Sequence, residues 1–442
     1  MRRISLRLLA GCLVLMTLPL AAAPTAAPVK PALSVVTDRE EAMYRAGETV
    51  EFRIALTSEK KAFAGATVKY VLSLDGYGTI SEGEVTTGEE PAVVRGSLDQ
   101  PGFLRCTVSV KDADGKVVTA LAAAAVDPLE IKPSLPVPED FDEFWKAQKS
   151  QLAAVPLNPQ LTPVKSPNPE VECFDVQVGC LGERPVSGYF ARPAGAQPKS
   201  LPAVLFVHGA GVRSSILGTA VKQAERGRLG MDINAHGIPN GKPSEYYQEL
   251  SNGELKDYRF AGRESREKSY FLGMYLRLVR AIDFLTSQPE WDGKTVIVTG
   301  HSQGGGQSLV AAGLDPRVTA IASGVPAMCD HSGNAANRIA GWPKLVPLTG
   351  DGKPDPQVLE ASRYLDAMNF ATRTKAESLL SVGFIDITCP PTGIYATYNN
   401  LPGTKRMLTR PRMGHAAPPD IQEEFAKFID DHIARQSQAA TK

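Results

Sequence analysis

Thr295-Val296-Ile297-Val298-Thr299-Gly300-His301-Ser302-Gln303-Gly304 is the stretch from which the rest of this chain can be read. A β-prone run enters a Gly-x-Ser-x-Gly turn, and Gly305 to Leu314 then has a helix-compatible composition. Strand, tight turn and helix in that order make a nucleophile elbow. Strand and helix converge at the serine, so its flanking residues must be nearly bare; glycine meets that demand and permits unusual backbone angles. The turn presents the Ser302 hydroxyl at the carboxyl end of a sheet and aims the Gln303 amide into the same space. The bland alternative is a glycine-rich turn with an idle serine. The preceding strand and the following Gly305-Gly306 weigh against it.

A serine hydroxyl is a poor nucleophile until a base takes its proton. His415 lies in Arg412-Met413-Gly414-His415, past the β-prone run Lys405 to Thr409, and is the expected base. Its bland reading is a surface histidine. His432 falls on a closing helix, and the side chain of His301, inside the elbow, cannot easily turn back to Ser302. His236 and His331 follow earlier strands and are expected as site liners. Asp386 follows Ser381 to Ile385 and precedes Cys389-Pro390-Pro391, which puts it at a strand's carboxyl end, where sheet sites form. It is expected to fix the imidazole tautomer and stabilise the imidazolium, against the alternative of a turn-capping aspartate. Asp355 and Asp366 follow no apolar strand. The order Ser302, Asp386, His415 is the hydrolase order. The expected oxyanion donors are the backbone amides of Gln303 and of Ala210, the latter in His208-Gly209-Ala210-Gly211 after the strand Ala203 to Val207. No metal or organic cofactor is required by this chemistry.

Size and charge bound the remaining possibilities. The chain has 442 residues, more than one domain normally needs. Lys+Arg and Asp+Glu are both 48, so there is no electrostatic case for nucleic acid or an anionic membrane surface. Arg2, Arg3 and Arg7 flank an apolar run from Leu8 to Leu20, followed by Ala21-Ala22-Ala23. This is the pattern of a secretory signal peptide over residues 1–27, and an exported, periplasmic or extracellular protein is expected. Leu9-Ala10-Gly11-Cys12 also fits a lipoprotein signal, with lipid on Cys12, but the apolar stretch continues well past that cysteine. Beyond the leader no segment reads as a membrane span. Cys106, Cys173, Cys180, Cys329 and Cys389 remain; their spacing matches no zinc site. Cys173 and Cys180 are read as separately buried small hydrophobes, with a local bridge as the alternative.

The predicted organisation is modular. Residues 31–127 carry short β-prone segments at 32–36, 50–56, 66–74, 92–98, 102–110 and 117–126, separated by turn sequences such as Asp75-Gly76. That rhythm predicts an immunoglobulin-like β-sandwich, serving either as a glycan-binding or positioning module or as a structural spacer. Residues 128–138 are proline-rich and read as a semi-rigid linker. Residues 139–435 are expected to form an α/β domain whose mainly parallel sheet is flanked by helices. Within it, helices are predicted over 139–152, 263–286 and 420–434, and strands over 171–178, 186–192, 203–207, 318–323, 379–384 and 405–409. The stretch 212–262, with Tyr246-Tyr247, reads as an insert beside the pocket or as a surface excursion.

Residues 139–435 resemble the acetyl xylan esterase/cephalosporin-C deacetylase family of α/β-hydrolases. The resemblance is carried by Asp140-Phe141-Asp142-Glu143-Phe144-Trp145, Gly300-His301-Ser302-Gln303-Gly304-Gly305-Gly306-Gln307, Gly383-Phe384-Ile385-Asp386-Ile387-Thr388-Cys389-Pro390-Pro391 and Tyr395-Ala396-Thr397-Tyr398-Asn399. Two departures stand out. Met231-Asp232-Ile233-Asn234-Ala235-His236-Gly237-Ile238 occupies the place where the family usually has Arg-Gly-Gln, and Ala416 follows His415 where glutamate is usual. The resemblance implies an α/β-hydrolase fold, deacetylation of acetylated sugars, xylo-oligosaccharides or xylan, and a ring-like homo-oligomer. Another carbohydrate esterase or serine peptidase on the same fold, and a non-catalytic secreted glycan-binding protein, are the alternatives.

Overall fold

The computed structural model describes residues 32–58, 61–112 and 114–439; the expected leader and Cys12 lie outside them. From the N-terminus the strands are β1 Ala32–Thr37, β2 Met43–Tyr44, β3 Val50–Ser58, β4 Lys61–Ala62, β5 Thr67–Leu74, β6 Tyr77–Thr86, β7 Ala92–Gly96, β8 Gly102–Lys111 and β9 Val117–Val126. They form two sheets, β1-β3-β4 with β7 on β3, and β2-β9-β8-β5-β6. Val50, Phe52 and Ile54 from one sheet meet Val68, Leu72 and Leu104 from the other to make the sandwich core. Strand β6 escapes the sequence pattern because it is exposed along most of its length and carries no apolar alternation.

Strands β8 and β9 are covered on both faces. Leu104, Cys106, Ala122 and Ala124 point into the sandwich. Phe103, Ala123 and Ala125 point the other way and join the core of the C-terminal part. The proline-rich stretch that follows is tied down as well. Ile131 is buried, Asn399 Nδ2 donates to the carbonyls of Pro128 and Ile131 at 3.0 and 2.9 Å, and Ser134 Oγ donates to Asp330 Oδ2 at 2.6 Å.

The C-terminal strands are β10 Gln160–Pro163, β11 Val171–Val178, β12 Val186–Pro193, β13 Leu201–Val207, β14 Leu229–Ile233, β15 Trp291–His301, β16 Ala320–Gly324, β17 Glu377–Gly383 and β18 Lys405–Arg410. They lie in the order β10-β11-β12-β14-β13-β15-β16-β17-β18. Pairing is antiparallel as far as β14 and parallel from there to β18. The helices are α1 Phe141–Ala153, α2 Leu217–Ala224, α3 Ser244–Asn252, α4 Tyr270–Ser287, α5 Gln303–Leu314, α6 Pro356–Ser362, α7 Ala367–Ala371, α8 Pro391–Asn400 and α9 Pro419–Ala439.

One face of the sheet is sealed by α9, whose Ile421, Phe428 and Ile429 cover Val204, Ile297, Ala320 and Leu379. On the same side α2 packs Ala220, Val221 and Ala224 on Val171, Cys173 and Ala191. The other face carries α4 and α5 in the main core. Helix α1 buries Phe141, Phe144 and Trp145 there, and the indole Nε1 donates to the Tyr364 carbonyl at 3.0 Å, so these rings are core. The helix predicted from residue 263 begins only at Tyr270. Ser269 caps it by accepting from the Phe271 amide at 3.3 Å, and Gly262, at φ +67°, turns the preceding chain. Among the described residues, Cys106, Cys173, Cys180, Cys329 and Cys389 are free and buried; Cys173 and Cys180 sit in different apolar clusters.

Candidate active site

Strand β15 delivers Ser302 and α5 leaves it. Ser302 sits at φ 59°, ψ −120°, a region that non-glycine residues occupy only when the surroundings hold them there. Its amide donates to the Gly324 carbonyl at 2.8 Å, and its carbonyl accepts from Gly306 and Ala327 at 3.0 and 2.9 Å. A Cβ on Gly300 or Gly304 would overlap the Val207 carbonyl oxygen. Bare residues on both sides of the serine are thus a packing requirement between β15, α5 and β13.

Three side chains from three loops meet there. His415 Nε2 lies 2.9 Å from Ser302 Oγ, and His415 Nδ1 lies 2.7 Å from Asp386 Oδ2. Asp386 is fully buried, and its other oxygen accepts from the amides of Thr388 and Cys389 at 2.8 and 2.9 Å. A carboxylate can only accept, so the shared proton sits on Nδ1 and the Nε2 lone pair faces the serine. The imidazole is partly open to solvent while the carboxylate behind it is sealed.

The loop after β13 crosses close to Ser302. A Cβ on Gly209 would come within 3.5 Å of the Ser302 Cβ, which brings Ala210 to the rim. Gln303 opens α5, and first-turn helix amides have no partner within their own helix. A cavity of about 240 Å³ lies alongside, lined by Ala210, Gly211, Val212, Leu255, Tyr258 and Trp342 among others.

The insert supports this rim. Tyr258 Oη donates to Gln303 Oε1 at 2.6 Å. The His236 ring meets Tyr258 edge-to-face at 4.6 Å; its Nδ1 is 2.8 Å from Tyr270 Oη and its Nε2 is 3.2 Å from the Gly211 carbonyl. His208 Nε2 accepts from the Ala235 amide at 3.3 Å. Burial pushes His208 down to about 4 and His236 to about 3, so both stay neutral. His236 is legible in the sequence, whereas Tyr258 and Tyr270 sit outside any motif and carry no local signal. Tyr247, from the noticed pair, donates to the Pro239 carbonyl at 2.9 Å and braces the insert itself.

The competing residues have other work. His432 bonds Glu377 and Thr319 at 2.8 and 3.0 Å. His331 is buried beside Asp366, which accepts from its amide. Asp355 and Asp366 cap α6 and α7. The departing stretch after β14 closes on itself: Asn234 Oδ1 accepts from the amides of His236 and Ile238. Asp386, Cys389 and His415 offer ligand atoms within 4.8 Å of one another. Burial raises the Cys389 thiol well above its usual range, however, and a thiol binds metal as the thiolate.

An elbow serine at the carboxyl end of a mainly parallel sheet covered by helices on both faces is the architecture of an α/β-hydrolase, and the chain is an esterase of that class. Residues 124–432 match the family described as Acetyl xylan esterase (AXE1), and the chain belongs to that family. It is 31% identical over 395 residues to the acetyl esterase Axe7A of Xylanibacter ruminicola, covering 86% of each chain. In structure it is similar to the acetyl xylan esterase from Paenibacillus sp. R4, with 29% identity, a TM-score of 0.59, and 69% of this chain and 98% of that one covered. It is also similar to acetyl xylan esterase 1 from Thermoanaerobacterium sp. JW/SL YS485, at 25% identity and a TM-score of 0.52, covering 67% and 96%. Among the described residues no helix is long and apolar enough to cross a membrane.

Proposed function

We propose that this esterase removes acetyl groups from acetylated xylan and xylo-oligosaccharides through an acetyl-enzyme on Ser302. The observation that carries the reading is the unbroken relay from Ser302 Oγ through His415 to Asp386, at 2.9 and 2.7 Å. Membership of the acetyl xylan esterase family supports the substrate class.

The steps follow from the relay. Ser302 Oγ attacks the acetyl carbonyl carbon as its proton passes to His415 Nε2. Asp386 stabilises the imidazolium through Nδ1–H. The amides of Gln303 and Ala210 donate to the oxyanion of the tetrahedral intermediate. The ester C–O bond then breaks, and the sugar oxygen leaves with the proton from His415. A water, deprotonated by His415, attacks the acetyl-enzyme; acetic acid departs and Ser302 recovers its proton. His415 ends neutral, Ser302 holds one proton of the water, and the other leaves on the acetic acid product, which ionises in solvent.

Export of the chain by residues 1–27 is part of the same reading, supported by the arginines, apolar run and small residues of that segment; acetylated xylan is a polymer met outside the cell. Assembly into a homo-oligomer, which the family resemblance implies, would appear in light scattering as a multiple of the chain mass. The decisive experiment is acetate release from acetylated xylan, acetylated xylo-oligosaccharides and cephalosporin C by the wild type and S302A. Turnover of the saccharide substrates that vanishes in S302A is expected; normal turnover by S302A sinks the proposal.

A further inference from the structure

The loop bearing Asp386 is held from behind by the β-sandwich. Asp75 sits in the turn between β5 and β6, at φ 52°, and is 1% exposed. Its Oδ1 accepts from Arg105 Nη2 on β8, in a buried ion pair. Its Oδ2 accepts from Thr392 Oγ1 at 2.7 Å and the Thr392 amide at 3.2 Å, in the first turn of α8. The same Arg105 Nη2 lies 3.4 Å from the carbonyl oxygen of Asp386. Between these anchors Phe103 packs edge-on against Phe384 at 5.1 Å and tilts against Tyr395 at 5.6 Å. Phe384 precedes the acid loop and Tyr395 follows it. Asp75, Phe103 and Arg105 all lie ahead of residue 124, where the match to the family begins.

A buried ion pair is costly to desolvate, and apolar residues would serve equally well if adhesion were its only purpose. Here the pair does two further things. It attaches both ends of the acid loop to a rigid strand and turn, and it places a cation next to the backbone of the residue that orients His415. We propose that Asp75 and Arg105 are positioning residues for the esterase reaction: the sandwich sets the geometry of Asp386 and the balance of charge behind the His415–Asp386 relay. The inference rests on Asp386 being the acid of the triad.

The charged surroundings are defined. His415 is bonded to Asp386, its ring lies 5.3 Å from that of His301, and the Cys389 thiol is close by. Arg410 at the end of β18 and Arg412 in its own loop are bordered by Glu40 and Asp420. Asp75 is faced by Arg105, Thr392 and, more distantly, Asp386; burial raises its carboxyl to about 6 against the pull of Arg105 and Thr392. Above that pH the pair is neutral overall.

Two variants of the full chain test the proposal. D75N keeps an acceptor for Thr392 and suits the left-handed turn, but leaves Arg105 as an unbalanced cation. Above about pH 6, where wild-type Asp75 is ionised, the unbalanced cation of D75N opposes the imidazolium, so an acidic limb of the kcat/KM profile lying in that range should move down by about 0.5 to 1 pH unit, and the two proteins should converge below it. D75N/R105M removes both charges, which returns the limb toward the wild-type position. It also deprives the Asp386 carbonyl of its donor, so kcat per titrated active site should fall by about 10- to 100-fold with little change in KM. The double variant buries no lone charge and so remains measurable if D75N fails to fold. A wild-type kcat in the double variant overturns the inference, as does an unmoved acidic limb in a folded D75N. D386N separates the two readings. If D386N is inactive while the sandwich variants behave as wild type, only this inference falls; if D386N is fully active, the triad assignment falls with it.

Discussion

Tyr258 Oη donates a 2.6 Å hydrogen bond to the side-chain oxygen of Gln303, so a ring from the insert holds the residue next to Ser302. Gln303 is fully buried, and its Nε2 has no hydrogen-bond partner among the described residues. The Tyr258 bond is therefore the polar contact that fixes this side chain at the start of α5.

Removing it should be felt in the reaction. Y258F leaves the buried Gln303 oxygen without its donor, at a cost of about 1 to 3 kcal/mol in stability. The Gln303 amide shifts with its side chain, and we expect kcat on p-nitrophenyl acetate to fall about tenfold while KM changes little. Denaturant unfolding together with steady-state kinetics would check both; an unchanged kcat in a folded Y258F would remove the insert from any role at the oxyanion site.

Asp386 fixes which imidazole nitrogen carries the proton. D386N presents an amide to Nδ1 and favours the wrong tautomer, so kcat is expected to drop on the order of 10⁴-fold. The amide oxygen can still accept from Thr388 and Cys389, so a far-ultraviolet spectrum like that of the wild type should accompany the loss.

His236 makes a pH prediction with a definite sign. Burial lowers its folded pKa to about 3, below the ordinary value of 6.5. Between those values the unfolded chain binds the proton and the folded chain does not, so this residue's contribution to stability is lost as pH falls. H236Q should lack that dependence. The stability difference between wild type and H236Q is expected to move against the wild type by about 1.4 kcal/mol per pH unit from pH 6 to pH 4. Parallel urea titrations across that range would read it, and parallel stability curves would count against a neutral buried His236.

Gly304 tests the packing account of the elbow. An added Cβ would collide with the Val207 carbonyl oxygen, which belongs to the backbone of a central strand and cannot rotate away. G304A is expected to cost about 3 kcal/mol or more and to lower soluble yield. A G304A protein as stable as the wild type in thermal unfolding would contradict the close approach of β13 and α5.

Much of the C-terminal half was legible because its signals are local. The strand over 171–178 was read to the residue, and the elbow, the closing helix and the acid loop fell where apolar runs and turn residues put them. Other elements were missed for physical reasons. Strand β14 is short, fully buried and lacks alternation. Strand β6 is nearly all exposed and rich in glycine and glutamate. Helices α2, α3, α6 and α7 are too short to show a clear period. Tyr258 reaches Gln303 from the stretch 212–262, and Tyr270 reaches His236 from the first turn of α4, pairings that no sequence spacing encodes.

By itself the sequence determined the chemistry available: an elbow serine, a late-strand carboxylate and a loop histidine in hydrolase order, along with the class of sheet that carries them. Those features follow from bond geometry and short-range sterics, which act within a few residues of the chain. Only the tertiary structure decided that Phe103, Asp75 and Arg105 of the sandwich stand behind Asp386, and that His236 and Tyr258 support the rim at Gln303 and Gly211. Such contacts depend on which buried faces meet, and that is settled by burial and polar pairing between segments tens to hundreds of residues apart, where local sequence carries no record of its partner.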